Sequence, residues 1–188
     1  MKQNIESEKS IDKPIIAVLT GDIIQSSSLP NALYEDLLYT LHSQLTYICD
    51  QHDDNSHQVM RGDSFQIIIH DVKQAFRYAL LLRTALKAQN SLFDCRLSIG
   101  IGHHDPIRHK VGYSTGEAFT LSGRAFDKMK PQTLILSSMN TQFNEQFALL
   151  TQYLDQQVSS LSQRQSAISH LKIKEPHIKQ QAIADELD

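Results

Sequence analysis

Two short stretches, far apart in the chain, carry a Gly-Asp pair at the end of an apolar run. They are AVLTGDIIQSSS, residues 17–28, and QVMRGDSFQIII, residues 58–69. A third stretch, STGEAFTLSGRAFDKMK, residues 114–130, supplies Arg124 within a helical pattern. Two carboxylates, Asp22 and Asp63, brought together by strand pairing suit a hard divalent cation, which takes oxygen ligands. A cation held beside an arginine suits phosphate chemistry, where neutralising and positioning charge is most of the work. Either Gly-Asp pair taken alone is also an ordinary turn signal. Arg124 taken alone also reads as a surface helix residue paired with Glu117 or Asp127. Ser26 to Ser28 and the helix after them can cradle phosphate on backbone N–H groups, and they serve equally as caps.

The elements that must position these residues follow from periodicity. Residues 15–20 form a continuous apolar run of strand length, ending at Gly21. Leu33, Leu37, Leu41, Leu45 and Ile48 recur at helical spacing behind Pro30 and Asn31. Residues 57–61 and 64–70 read as a hairpin turning on Gly62-Asp63. A helix carrying Val72, Phe76, Ala79, Leu82 and Leu86 follows. RLSIGIG, residues 96–102, then alternates as a strand, with Leu97, Ile99 and Ile101 on one face. After a loop over 103–115 come the Arg124 helix and a last strand at 133–136. The order is β-α-β-β-α-β, then α and β. This predicts an α+β, ferredoxin-like antiparallel sheet with helices on one face. Residues 1–13 read as a flexible tail and 14–138 as the main domain. Residues 139–188 form a helical extension, with helices expected over 139–160, 161–171 and 178–187.

The chain has 188 residues, 40% of them hydrophobic, which is enough for one sizeable core. Its formal charge of -3 leaves no global basic footprint for nucleic acid. Two cysteines, Cys49 and Cys95, make no disulfide framework, and Cys49 reads as a core residue. The N-terminus has no signal-peptide pattern and no stretch has the length of a membrane span, so the expected setting is cytoplasmic. The cluster HHDPIRH, with His103, His104, Asp105 and His109, matches no standard metal spacing and reads as solvated loop histidines.

The three stretches resemble the motifs of the class III nucleotidyl cyclase catalytic domain. GDIIQSS is similar to its first metal-binding loop, RGDSF to its hairpin, RLSIGIG to its following strand and GEAFTLSGR to its arginine helix. The resemblance implies metal contacts from Asp22, the Ile23 carbonyl and Asp63, with Mg²⁺ or Mn²⁺ as the cation. It places Ser27 on the phosphate side, and Arg124 and Thr120 where groups stabilise the transition state. It puts Val59 and Tyr113 where family members read the base. Val59 replaces a Lys or Glu, Tyr113 an Asp or Cys, and Thr120 an Asn. The resemblance further implies a homodimer, with the two aspartates from one subunit and Arg124 from the other. The whole chain also resembles the SatD-like bacterial proteins, in which such a domain precedes a C-terminal helix-turn-helix. SQRQSAISHL followed by IKQQAIADEL is similar to the opening of that module, so DNA contact would require a complete one. The function expected is a cyclase-like, Mg-dependent regulatory protein binding a nucleotide or other phosphate ligand. The alternative is an active cyclase making a cyclic nucleotide and pyrophosphate.

Overall fold

The computed structural model describes residues 14–60 and 62–187, so the expected tail at 1–13 lies outside the described residues. Five strands form one sheet: β1 (Ile15–Ile23), β2 (Ser56–Val59), β3 (Ser64–Ile69), β4 (Cys95–His103) and β5 (Leu134–Ser138). Their order is β2-β3-β1-β4-β5. The first four pair antiparallel and β5 joins β4 in parallel. With α1 (Asn31–Cys49) and α2 (Ala75–Gln89), the first four strands make the expected ferredoxin-like βαββαβ unit. α3 (Glu117–Lys128) lies between β4 and β5 in sequence, and α4 (Thr141–Ser160), α5 (Gln163–Lys174) and α6 (Gln180–Leu187) follow.

β1 is central and buried on both faces, which explains its unbroken apolar run. Ala17, Leu19 and Ile23 face the core beneath α1 and α2, with Leu37, Leu41, Leu45, Ala79 and Leu82. Ile16 and Val18 face the other way, onto Ile68, Val111, Ala118 and Phe119 beneath α3. The two helices of the βαββαβ unit thus share one face, and α3 covers the opposite one.

The strand expected to stop near Thr20 runs on to Ile23. Gly21 is therefore no turn. A Cβ there would stand 2.6 Å from the Phe65 ring and 2.7 Å from Leu97, so the glycine admits two neighbouring side chains. Asp22 consequently lies within the ladder, opposite Ser64 on β3 and Arg96 on β4. The second pair behaves as expected: Gly62 has φ +71° in the turn that connects β2 to β3.

α3 approaches the sheet at another glycine. A Cβ on Gly100 would lie 2.3 Å from the Ala118 carbonyl oxygen and 2.4 Å from the Ser122 nitrogen, so backbone lies directly on backbone there. Of the C-terminal helices, α4 packs on β5 and α5 on α2, and two arginines of α2 reach both. Arg83, wholly buried, holds both oxygens of Asp94 at 2.8 and 2.7 Å and reaches Asp155 of α4 at 2.8 Å. Arg77 donates to the carbonyls of Ile173 and Lys174, at 3.1 and 3.0 Å, where α5 ends with unsatisfied acceptors. α4 begins at the Asn140 side chain, which accepts from the Phe143 N–H at 2.9 Å. α5 begins later than expected because Ser162 and Gln165 close a capping box.

Candidate functional site

Antiparallel pairing of β1 and β3 brings the two aspartates to one rim of the sheet. The Ile23 N–H donates to the Asp63 carbonyl at 3.3 Å, which fixes the hairpin turn beside the end of β1. Asp22 and Asp63 are both half-buried. Their carboxylates have different partners. Arg96 grips Asp22 as a fork, Nε to one oxygen at 2.9 Å and a terminal nitrogen to the other at 2.5 Å. The guanidinium stands 5.0 Å from the centre of the Phe126 ring on α3. The Asp22 hydrogen bond holds the Arg96 guanidinium above its ordinary value, with partial burial opposing it and the Asp22 charge adding to it. Asp63 accepts a hydrogen bond from the Ser26 hydroxyl.

Behind the rim, on the α3 face, runs a polar chain. Gln66 donates to Thr20 at 3.1 Å, Ser122 donates to Thr20 at 2.8 Å, and Ser98 lies 3.1 Å from Ser122. It crosses β3, β1, α3 and β4 in a layer otherwise apolar, and its hydroxyls satisfy one another. Beside Arg96 opens a pocket of about 370 Å³, bounded by Ile23, Gln25, Met129, Lys130 and Thr133. Its lining joins two cations, Arg96 and Lys130, to the apolar Ile23, Met129 and Pro131.

The other residues singled out from sequence fall as follows. Ile23 is buried at the end of β1. Ser27 is exposed. Thr120 and Arg124 are exposed, one turn apart on α3, opposite the face that carries Ala118 and Ser122. Thr120 donates to the Gly116 carbonyl at 3.0 Å. Neither Glu117 nor Asp127 forms an ion pair with Arg124 among the described residues. Val59 and Tyr113 are not brought together. Val59 pairs with Phe65 and packs on the α1–α2 core, whereas Tyr113 is exposed on the α3 side. Gln58, one residue earlier and so on the opposite face, accepts from the Gly112 N–H at 2.8 Å. The side chain of this strand that meets the Tyr113 turn is therefore Gln58.

Asp22, Asp63 and the Ile23 carbonyl are the oxygen donors this rim offers a hard cation, and they suit one in type. Both Asp22 oxygens are engaged by Arg96, so a cation at that carboxylate competes with the guanidinium for its charge and remaining lone pairs. Among the described residues, no three His, Cys, Asp or Glu side chains are grouped to hold a metal ion. Sequence reasoning missed Arg96 as a partner of Asp22, because only the register of β1 against β4 pairs them.

Cys49 carries no nucleophile. Its sulfur lies 3.2 Å from Nδ1 of His57, but burial and the Asp50 charge push the thiol up to about 11. Burial and His42 lower His57, so the pair stays thiol and neutral imidazole at neutral pH.

No protein-family profile matches the sequence, and none of the curated proteins matches it. The fold is similar to solved structures of two kinds. A bacterial light-regulated adenylyl cyclase is 18% identical, over 65% of this chain and 75% of that one, with a TM-score of 0.49. A further structure of a bacterial light-regulated adenylyl cyclase gives 19%, 65% and 42%, with a TM-score of 0.46. The active GGEEF domain of a diguanylate cyclase from Vibrio cholerae is 14% identical, over 68% of this chain and 84% of that one, with a TM-score of 0.47. At these identities the likeness says nothing of what this chain binds. Among the described residues no helix is long and apolar enough to cross a membrane.

Proposed function

We propose that this chain is a cyclase-like regulatory domain that binds a nucleotide or related phosphate ligand together with Mg²⁺ or Mn²⁺. One observation carries the reading: two strands distant in sequence deliver Asp22 and Asp63 to a single rim, beside a pocket with Arg96 and Lys130 on its wall. In the ligand-free chain Arg96 supplies the positive charge that Asp22 requires. Were a cation held at Asp22, the Arg96 guanidinium would be available to the phosphate oxygens, for which its fork is suited. The outward face of α3 presents Arg124 to a second copy, so the complete site belongs to a homodimer. Asp22, Asp63 and the Ile23 carbonyl would hold the cation, which would supply charge neutralisation for the phosphate, and Ser26 orients Asp63. Through α5 and α6 the domain is linked to a helix-turn-helix role in transcription.

Calorimetry with each nucleoside triphosphate and Mg²⁺ tests this. Binding is expected in the native chain and a loss of at least tenfold in Asp63→Asn. Equal affinity in the variant refutes the reading.

The exposure of Thr120 and Arg124 on one face favours a second reading, an active nucleotidyl cyclase. Incubation with Mn²⁺ and each triphosphate then yields cyclic product and pyrophosphate, both lost in Asp63→Ala. Ligand binding without product leaves the regulatory reading alone standing.

A further inference from the structure

α4 carries two faces of different kinds. Its inner face packs on β5 with Thr151, Asp155 and Val158 buried. On that side the Phe147 ring lies against Phe143 and Phe76, at centroid distances of 4.4 and 6.4 Å. The outer face leaves three large side chains in solvent: Leu149 is 76% exposed, Tyr153 57% and Leu150 47%. Leu149 and Tyr153 stand one turn apart with Leu150 beside them, so the three make one cluster.

The surroundings of this cluster are uncharged. Of the two charged residues on α4, Asp155 is buried against Arg83, and Glu145 remains on the surface. Gln142, Gln146, Gln156 and Gln157 are exposed on either side. The middle of a protein interface is depleted of charge and holds aromatic and aliphatic anchors inside a polar rim. An apolar group ringed by polar residues in this way marks a contact surface.

Position along the helix identifies the occupant. α4 runs from Thr141 to Ser160, and the cluster sits at its midpoint. A two-fold axis through that midpoint lays a second α4 antiparallel on the first. With the axis level with Thr151, Leu149 meets Tyr153 of the other copy. Gln146 meets Gln156, and their amides both donate and accept. Glu145 meets Gln157, so the surface charge never faces its own copy. A parallel pairing would instead set the two Glu145 carboxylates side by side.

We propose that the outer face of α4 is a self-association surface, on which a second copy of this chain docks its own α4 antiparallel through Leu149, Leu150 and Tyr153. The proposal does not rest on the nucleotide reading, and it uses a different helix from the α3 face that carries Arg124. One helix face buries less than the about 800 Å² per partner of a standard interface, so the dimer is weak and forms as concentration rises. In this pairing the two Ser160 residues lie about 30 Å apart, one helix length, and α5 and α6 of the two copies leave from opposite ends.

Sedimentation equilibrium of the full-length chain over a concentration series, without nucleotide or added metal, tests this. A monomer–dimer equilibrium is expected, weakened at least tenfold in Leu149→Lys and in Tyr153→Glu. Both positions are exposed, so the fold is kept, which far-ultraviolet circular dichroism checks. An equimolar mixture of the two variants should dimerise several-fold more tightly than either alone, because the antiparallel register sets the introduced opposite charges against each other. Arg124→Ala should associate as the native chain does. A native chain that stays monomeric throughout the series overturns the proposal. So does undiminished dimerisation in the two α4 variants, or loss of the dimer in Arg124→Ala, which would move the contact to α3. A mixture no tighter than its parts overturns the antiparallel pairing.

Discussion

Arg83 and Arg96 each hold an aspartate with the same two-pronged grip, yet they sit in different parts of the molecule and do different work. The Arg83 side chain is 0% exposed and has further partners in Asp155 and the Ser159 hydroxyl. Burial opposes its charge, but the hydrogen bonds and charge of Asp94, with Asp155, overcome that and hold its value above the ordinary one. The Arg96 side chain is 35% exposed and its ion-pair partner is Asp22. A charge enclosed on every side cannot be left alone; one open to water can exchange its partner cheaply. Arg83 ties α2 to the segment before β4 through Asp94 and to α4 through Asp155. The Arg96 pair stands at the rim, where exchange is what a binding site needs.

The sharpest way to break this contrast is Asp155→Ala. It leaves Arg83 short of a charge and strands the Thr133 N–H, which donates to Asp155 at 2.9 Å. Urea unfolding should show a loss of about 3 kcal/mol or more; a loss below about 1 kcal/mol would mean that the buried pair is as exchangeable as the rim pair. A smaller effect is expected from pH. Neither arginine titrates between pH 5 and 8, so any slope there belongs to other groups. Burial lowers His57 and His170, and for His170 the Lys174 charge adds to it against the Leu81 carbonyl bond. A base depressed in the folded state leaves the unfolded chain holding more protons. Its contribution is complete above the unfolded value of about 6.5 and declines as pH falls towards the folded value. The melting temperature should therefore drop from pH 7 to pH 5, and His170→Gln should flatten the slope. A flat native profile would refute this. The smallest effect on stability is expected from Arg96→Ala, within about 1 kcal/mol. The same change should tighten Mn²⁺ binding several-fold, read by electron paramagnetic resonance of the free ion. Unchanged or weaker Mn²⁺ affinity would show that the guanidinium does not compete with metal for Asp22.

The same contrast shows what could be read from sequence. The α1 stripe was legible because Leu37, Leu41, Leu45 and Ile48 are buried on one face, so period and packing agree. The hairpin at Gly62-Asp63 was legible because its turn is local. Gly21-Asp22 carries the same two letters, but its glycine answers to Phe65 and Leu97, which only the folded sheet brings near. Likewise Arg96 finds Asp22 through strand register, and Val59 and Gln58 exchange faces with a single step along β2. His52, His70 and His104 come together only once β3, β4 and the α1–β2 loop are in place. Local chemistry marked the residues, and long-range pairing chose their neighbours.

Gly100 is the seat of α3 on the sheet. Because α3 rests on it with no side chain between, the height of that helix above the sheet is set by a single hydrogen atom. Any larger group at this position must lift the helix, and the outward guanidinium of Arg124 rides with it. A methyl placed on the inner layer would thus alter how far the outer surface reaches towards a second subunit, without touching a single residue of that surface.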